Sequence, residues 1–576
     1  MTTFDELWPA LLRGVYCAGP GGLELELGRV RSSARLPPTW ANLLFNAALL
    51  LVHLRARLRA YPDPAETSPR IKRRIELCAS GWVARTGDLV DREQLLEDQP
   101  WAFEEEVLRE GLLRRDVRGL VLQYLRLRTS LYVQLVHDPV DVGLGAYRGC
   151  YDRAQPLRNW PGFHHVRGGE PLALWLVERA GSEREVDVKG VEVRLGITQA
   201  IKLAGQLDAR RATVGTEVGV VGTFIRRRGS DLETSLEDCA RAHRRPLHRL
   251  IETLVSTPDT RLVGLDVAGD EMGEPCWVVA PVIEEIRAEV HAEVGRRVPL
   301  TVHLSETFRG PISGLRQLAE PLAYGMLERH DRVGHGIVAG LDLSALARRQ
   351  STVLQPRIER IWDLAFLIWA RTRWPRVGGL DEPGALAEAY TEEVEKLSLA
   401  EFGHTLTAVE LCSTWESLAD RSRWVSFLAA GAVTPDLVFF QRVLRCHDGD
   451  PVRVQVPIRE REIRLLPWIQ SRVLMEYAAL RVTIEINPTS NLLTQGFDVP
   501  VAQPGFHPKG YERVTISTDC PRAFAASLSD ELLVARAGLH LAGVAADEAE
   551  TWIKGAVERS WTSRFSRATH RIRLVS

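Results

Sequence analysis

The chain has 576 residues, and its 73 Lys and Arg against 75 Asp and Glu give a net charge of −2. A charge this small argues against an extensive nucleic-acid surface, because binding a phosphate backbone needs many basic side chains. Hydrophobic residues make up 45% and charged residues 26%, which is typical of a folded globular chain and excludes a disordered one. At roughly 150 residues per domain the length allows about four domains, or one barrel enlarged by insertions.

The N-terminal region, the longest apolar run and the cysteines indicate the cellular compartment of the protein. Asp5 and Glu6 stand where a secretory signal would carry positive charge. The longest apolar run, residues 43–54, is too short to span a bilayer and contains Asn46 and His53. The cysteines include no Cys-x-x-Cys pair, which disfavours a zinc ribbon or a disulfide framework. We therefore expect a soluble cytoplasmic protein with reduced thiols and no membrane association.

Two kinds of hydrophobic pattern follow one another along the chain. Residues 40–135 show apolar side chains at helical spacing and predict helices. From about residue 190, short β-branched runs alternate with helical stretches, which indicates βαβ units and a parallel sheet. The runs are residues 190–195, 218–225, 261–269, 299–304, 331–338, 481–487 and 513–519. Residues 339–480 contain no comparable strands and predict a helical insertion. Its tryptophan-rich segment, residues 358–376, fits either a buried core or a subunit contact.

Polar, ligand-capable side chains follow several of these predicted strands. The segments that contain them are Gly264–Glu271, Thr301–Glu306, Arg332–Gly336, Asn487–Asn491 and Thr518–Pro521. In a parallel β/α barrel, the C-terminal ends of the strands converge on one mouth. His303, Glu306, His335 and Asp519 would then meet as a divalent-metal and acid/base site. For shared ligands we expect the His303 ring and the Asp519 carboxyl within about 5 Å of each other.

In chain order, the segments GLDVAGDE, HLSE, GHG, NPTSN and STDC resemble the motifs of the adenosine deaminase family, and a His507-Pro508 pair precedes the last of them. That family consists of metal-dependent amidohydrolases with a TIM-barrel fold. The match covers about residues 190–340 and 480–525. The resemblance implies an α/β fold, namely a (β/α)8 barrel with two large, mainly helical insertions.

The resemblance also implies a role for each matched residue. His303 and Asp519 would be ligands of a Zn²⁺ ion, and Glu306 would donate a proton to a purine ring nitrogen. His335 would orient and deprotonate the metal-bound water. The substrate-binding residues would be Gly269, which presents its backbone amide to the purine, Asp270 and Cys520. The implied reaction is hydrolytic deamination of adenosine or an adenine nucleotide.

Two departures from the family pattern bear on activity. The family carries a His-x-His pair on its first strand, whereas this chain contains no His-x-His. The best candidate for that strand is Gly22–Leu27, where Glu24 and Glu26 would stand in place of the histidines. Carboxylates favour harder ions than zinc, and two remaining ligands predict weak zinc binding. Cys520 replaces a second Asp, and a thiol is a weaker hydrogen-bond partner for the purine.

The placement of the insertions predicts five regions. They are an N-terminal segment with the divergent first strand (1–40), a helical insertion (41–185), barrel strands 2–6 (186–340), a second helical insertion (341–480), and strands 7–8 with C-terminal helices (481–576). This architecture resembles the deaminase-like subunit of RADAR-type bacterial antiphage defence systems. That resemblance implies a homo-oligomer with an ATPase partner and a role in antiviral defence.

Three interpretations stay open at this level. The chain is an active deaminase of a purine nucleoside or nucleotide, a degenerate pseudoenzyme that serves as a scaffold or nucleotide sensor in a large assembly, or a different metal hydrolase of the same superfamily. A basic run, Arg226-Arg227-Arg228, follows a predicted strand. It fits either a solvated turn or a phosphate contact, and the latter would suit a nucleotide.

Overall fold

The computed structural model describes residues 190–209, 217–226, 241–257, 259–272, 274–349, 351–374, 383–417, 452–495, 510–519 and 528–566. Several sequence-based predictions lie outside the described residues. They are the N-terminal segment (1–40) with its first strand at Gly22–Leu27, the helical insertion (41–185) with the helices of residues 40–135, and the substrate contact at Cys520. Arg227, Arg228 and the His507-Pro508 pair lie outside them as well.

The chain divides into two compact units. One comprises Ala173–Ile486, Ala502–Thr515 and Lys554–Ser576, and the other comprises Met1–Leu172, Asn487–Val501 and Ile516–Ile553. Within the described part of the second of these, the backbone N–H of Thr489 donates to Glu531 at 2.9 Å, and Arg536 pairs with Glu550 at 2.7 Å. These bonds join the described helices of that unit to one another.

A seven-stranded sheet confirms the predicted α/β class. Its strands are β1 (Gly190–Gly196), β2 (Glu217–Arg226), β3 (Leu262–Gly269), β4 (Leu300–Leu304), β5 (Arg332–His335), β8 (Thr483–Ile486) and β9 (Val514–Ile516). They are arranged in the order β1-β2-β3-β4-β5-β8-β9, and the pairings from β1 through β5 to β8 are parallel. Each lies within, or within one residue of, an alternating run of the sequence. The sheet skips the two strands of the insertion because they pair only with each other.

Side chains of distant strands meet across the curled sheet. Glu192 on β1 forms an ion pair of 2.5 Å with Arg332 on β5, although three strands separate β1 from β5. Arg194 on β1 likewise pairs with Glu485 on β8. A flat sheet would hold these strands far apart, since neighbouring strands are about 4.8 Å apart. The sheet therefore curls, and charged pairs line its inner face.

Helices follow most strands of the sheet. The helices of the described part are α1 (Ile197–Ala209), α2 (Leu247–Ser256), α3 (Cys276–Val294), α4 (Pro311–Ala323), α5 (Ile337–Gly340), α6 (Leu343–Arg349), α7 (Arg357–Arg373), α8 (Pro383–Phe402), α9 (Ala408–Ser417), α10 (Glu460–Ala479), α11 (Pro488–Gln495), α12 (Leu528–Leu541) and α13 (Ala546–Ser563). None of them is long and apolar enough to cross a membrane.

The sheet forms the core of the fold. Six consecutive residues of β3, from Leu262 to Val267, are buried, as expected of a parallel sheet that is covered on both faces.

The prediction that residues 339–480 lack strands was wrong in one respect. A two-stranded antiparallel ribbon joins β6 (Thr352–Pro356) to β7 (Arg453–Pro457). Each strand has only five residues and ends in proline, so both runs are short, and the alternation of Val454 and Val456 with polar neighbours in β7 was not recognised as a strand. The tryptophan-rich segment forms α7, where Trp362 and Trp369 are each 5% exposed. The centroids of their rings lie 5.0 and 6.0 Å, respectively, from the ring centroid of the fully buried Trp415 of α9. This part of α7 is buried core within the insertion.

Candidate metal centre

The motif residues lie at the C-terminal ends of the strands. His303 is the penultimate residue of β4, and His335 is the last residue of β5. Parallel pairing sets His303 opposite Gly334 and Leu304 opposite His335. Asp519 follows three residues after the end of β9. A methyl group at Gly334 would lie 3.4 Å from the His303 ring, so this glycine leaves room for the imidazole against the neighbouring strand.

Asp266 holds His303 in place. Nδ1 of His303 donates a hydrogen bond of 3.0 Å to Oδ1 of Asp266, and the Thr223 hydroxyl donates to Oδ2 at 3.0 Å. Burial by itself lowers the pKa of His303, but the charge and hydrogen bond of Asp266 outweigh it and raise that pKa to about 9. Burial raises the pKa of Asp266, but His303 and Arg194 lower it to about 2. Both shifts describe one buried ion pair, which leaves Nε2 as the remaining ring nitrogen of His303.

His335 lies beside both His303 and Glu306. The centroids of the two imidazole rings are 5.0 Å apart, and Nε2 of His335 is 3.6 Å from Oε2 of Glu306. His335 is fully buried and Glu306 is 5% exposed. The structure therefore brings a carboxyl group and two imidazoles together in a nearly dry environment, where electrostatic interactions are stronger than in water.

Three residues of this region adopt the left-handed backbone conformation. Ser305, His335 and Asp519 have φ values of 55°, 61° and 54°. Non-glycine residues rarely adopt this conformation, and such residues cluster at functional sites. The conformation turns the chain sharply at the end of each strand, which places Glu306, His335 and Asp519 on tight turns and not on extended continuations of their strands.

Among the described residues, one group offers the donor atoms for a metal ion. His303, His335 and Asp519 each offer one ligand atom, and these atoms all lie within 4.8 Å of one another. The Asp519 carboxylate also accepts a hydrogen bond of 2.7 Å from the Ser490 hydroxyl of the NPTSN segment. Two imidazoles and a carboxylate match the three-ligand pattern of catalytic zinc sites, which leave a fourth position open. The His303–Asp266 pair supplies the outer-sphere carboxylate that such histidines usually have.

The predicted substrate residues Gly269 and Asp270 are the last residue of β3 and the residue that follows it. Gly269 has φ = 107°, and a Cβ there would lie 2.4 Å from the carbonyl oxygen of Arg226. The Asp270 carboxylate accepts a hydrogen bond of 3.0 Å from the backbone N–H of Met272. The close approach to Arg226 therefore explains why a glycine is required at position 269 without any contact to a purine. The Asp270 side chain stabilises the loop in which it lies.

Arg226 is neither a solvated turn residue nor an exposed phosphate contact, contrary to both interpretations of the basic run. It is 3% exposed, and its Nη2 donates a hydrogen bond of 2.6 Å to the backbone carbonyl of His303. It also lies 3.9 Å from Glu271, a buried carboxylate. Burial raises the pKa of Glu271, whereas Arg226 and the backbone N–H groups of Glu306 and Ser305 lower it and favour the ionised form.

Asp266 and Glu271 lie in the GLDVAGDE segment, but the resemblance gave neither of them a role, and Arg226 was interpreted only as part of a basic run. For Asp266 and Arg226 a sequence signal exists, because each is a charged residue in or at the end of an apolar strand. Buried charges need partners, so such a residue predicts a specific ion pair. For Glu271 no such signal exists, since it follows Asp270 in what reads as an ordinary acidic turn.

Comparison with known proteins does not add to this geometry. No protein-family model matches the chain, and no curated protein sequence matches it.

Proposed function

We propose that the chain is a metal-dependent hydrolase of the adenosine deaminase type, which removes the 6-amino group of adenosine or an adenine nucleotide. The observation that carries this proposal is the group of His303, His335 and Asp519, with ligand atoms within 4.8 Å of one another and Glu306 beside it. The order of these residues along the chain and at the strand ends matches the motif order of that family. The curled parallel sheet supports a (β/α)8 barrel as the complete fold.

The donor set fits zinc. His303, His335 and Asp519 would hold the ion, since two nitrogens and one carboxylate oxygen suit zinc better than Mg²⁺ or Ca²⁺. When bound, zinc supplies a water whose pKa is about 7, and thus a nucleophile at neutral pH. The resemblance implies that His335 orients and deprotonates the metal-bound water. We propose instead that His335 is the third metal ligand, because the His-x-His pair of the family's first strand is missing.

The residues around the proposed metal ligands orient a ligand, transfer a proton and exclude bulk water. Asp266 keeps the proton of His303 on Nδ1 and so presents Nε2 in the form that binds a metal. Water adds across the bond between C6 and the ring nitrogen: its oxygen bonds to C6, Glu306 donates a proton to the ring nitrogen, which relieves the charge that develops on the ring, and Glu306 regains the proton that the water loses. The bond between C6 and the amino nitrogen then breaks, and the amino group leaves as ammonia with the proton of the new hydroxyl group, which gives the 6-oxopurine. The burial of Glu306 and His335 keeps bulk water from this proton transfer.

Metal analysis coupled to an ammonia-release assay tests this function. With adenosine, ATP and dATP as substrates, we expect about one zinc per chain and turnover of at least one of the three. Glu306→Gln should keep the zinc and lower kcat by roughly 10²- to 10⁴-fold. The matched control is Glu462→Gln, a buried glutamate of the insertion that pairs with Arg360 at 2.7 Å, and it should keep both properties.

The alternative function is a catalytically degenerate scaffold or nucleotide sensor. The observation that favours it is the lack of any His-x-His pair in the sequence. Wild-type protein that holds no metal and releases no ammonia from any of the three substrates would establish this alternative. On the resemblance to the defence-system subunit we also propose a homo-oligomer that works with an ATPase partner, and light scattering of the purified protein tests the first part.

A further inference from the structure

The backbone of the turn that contains Glu306 is bound by two side chains from other parts of the sheet, those of Glu271 and Arg226. Ser305, the residue between β4 and Glu306, has φ = 55°, so this peptide does not hold its shape through intrinsic preference. Oε2 of Glu271 accepts the N–H of Ser305 at 2.6 Å, and Oε1 accepts the N–H of Glu306 at 2.9 Å. One carboxylate thereby fixes two consecutive peptide groups.

A second side chain fixes the same stretch from the other direction. Nη2 of Arg226, the last residue of β2, donates to the carbonyl oxygen of His303 at 2.6 Å. Arg226 and Glu271 lie 3.9 Å apart and are 3% and 5% exposed. Three backbone groups between His303 and Glu306 are therefore bound by an internal ion pair, to which we refer as the Arg226–Glu271 clamp.

The clamp is a costly way to satisfy two backbone N–H groups. A buried carboxylate must be desolvated, and Glu271 lies close to a second buried carboxyl group, that of Glu306, to whose own N–H it is bonded. A neutral side chain or a water molecule would satisfy a turn without placing two acids together. The arrangement is explained if the position of the turn matters more than its cost, because a proton donor must lie within hydrogen-bond reach of the atom it protonates.

We propose that Glu271 is a positioning residue of the catalytic turn, which acts through the backbone of Ser305 and Glu306 to hold the Glu306 carboxyl in place, with Arg226 holding the His303 end. The proposal rests on the proposed function for the role of Glu306. The clamp itself is a statement about the backbone and is measurable without substrate.

Glu271→Gln tests the clamp, because it keeps the size of the side chain and one acceptor oxygen but turns an N–H₂ group toward the other backbone N–H. We expect amide hydrogen exchange of the peptide that contains Ser305 and Glu306 to accelerate at least tenfold. We expect kcat to fall by roughly 10- to 100-fold with KM and zinc content unchanged, since about 1 Å of misplacement has an effect of that size. If Glu271→Gln does not fold, Glu271→Asp is measured in the same way, because its shorter side chain cannot reach both N–H groups.

The matched control is Asp331→Asn. Asp331 is also a buried carboxylate, and it accepts backbone N–H groups from Leu300 at 3.0 Å and Glu328 at 2.7 Å. It binds the N-terminal end of β4, opposite the turn, so its loss should lower stability and leave both kcat of the folded protein and exchange at residues 305–306 at wild-type values. Equal effects of the two variants, or wild-type exchange in Glu271→Gln, would overturn the proposal. A wild-type protein without zinc or turnover would refute the proposed function, and the exchange measurement would still decide the clamp.

Discussion

Nδ1 of His303 lies 3.0 Å from Oδ1 of Asp266, and both side chains are buried. A carboxylate only accepts hydrogen bonds, so Nδ1 carries a proton, and Nε2 is the nitrogen that gives up its proton to become a metal ligand. This assigns the tautomer of a proposed ligand without any reference to the metal. It also makes the strength of metal binding depend on a residue that does not touch the ion.

Asp266→Asn should weaken zinc binding by roughly 10- to 100-fold, which is the usual effect of removing an outer-sphere carboxylate. A competition titration with a chromophoric chelator measures the affinity. Asp208→Asn is the control, since Asp208 accepts the N–H of Arg261 at 3.1 Å just before the start of the same strand, β3. Zinc affinity that falls equally in both variants would point to a general loosening of β3 and contradict the specific role of Asp266.

His335→Gln should lower the zinc affinity by more than 100-fold, because it removes one of the three donors that lie within 4.8 Å of one another. The same chelator titration measures it, and circular dichroism checks the fold. A variant that keeps stoichiometric zinc but loses turnover would contradict the ligand role. It would return His335 to the orientation and deprotonation of the attacking water, the role that the family resemblance implies.

Gly269→Ala should destabilise the protein by about 2–4 kcal/mol, because an alanine is strained at φ = 107° and its Cβ would meet the Arg226 carbonyl oxygen. Urea unfolding provides the measurement. Gly295→Ala is the control: Gly295 ends α3 at φ = 63°, and nothing lies within 4 Å of an added Cβ, so its cost should be about 1 kcal/mol. Similar costs for the two changes would show that the close approach to Arg226 has no energetic effect.

Asp363 predicts a pH dependence of stability in the insertion. Burial, reinforced by Glu359, raises the pKa of Asp363 to about 6, although Arg316 lies 2.9 Å away and lowers it. The native state therefore keeps this proton to higher pH than the unfolded chain, whose Asp pKa is about 3.9. The contribution of Asp363 to the free energy of unfolding is full below about pH 4 and decreases by about 3 kcal/mol as pH rises through 6.

Asp363→Asn should therefore flatten the pH dependence between about pH 4 and 6, as measured by urea unfolding at a series of pH values. Above about pH 7 the curves of variant and wild type should run parallel, which serves as the internal control. Equal slopes across pH 4–6 would show that the Arg316 charge offsets the cost of burial and that Asp363 is ionised throughout this range.

The strands were predictable from the sequence because each is a short β-branched run whose pattern depends on neighbouring residues. The β6–β7 ribbon was missed because each of its strands has only five residues and ends in proline, which leaves a short local signal. The dependence on neighbouring residues also explains Arg226, whose local sequence is a basic run, whereas its actual partner is the backbone of His303 on another strand.

The sequence by itself determined the α/β class, the positions of the seven sheet strands and the identity of His303, Glu306, His335 and Asp519 as candidate site residues, because side-chain periodicity and motif order are local properties of the chain. Only the tertiary structure decided that Asp266 binds His303 and that Glu271 and Arg226 hold the turn before Glu306. Those relationships join the ends of different strands, and their distances depend on how the sheet curls, which no local pattern of residues encodes.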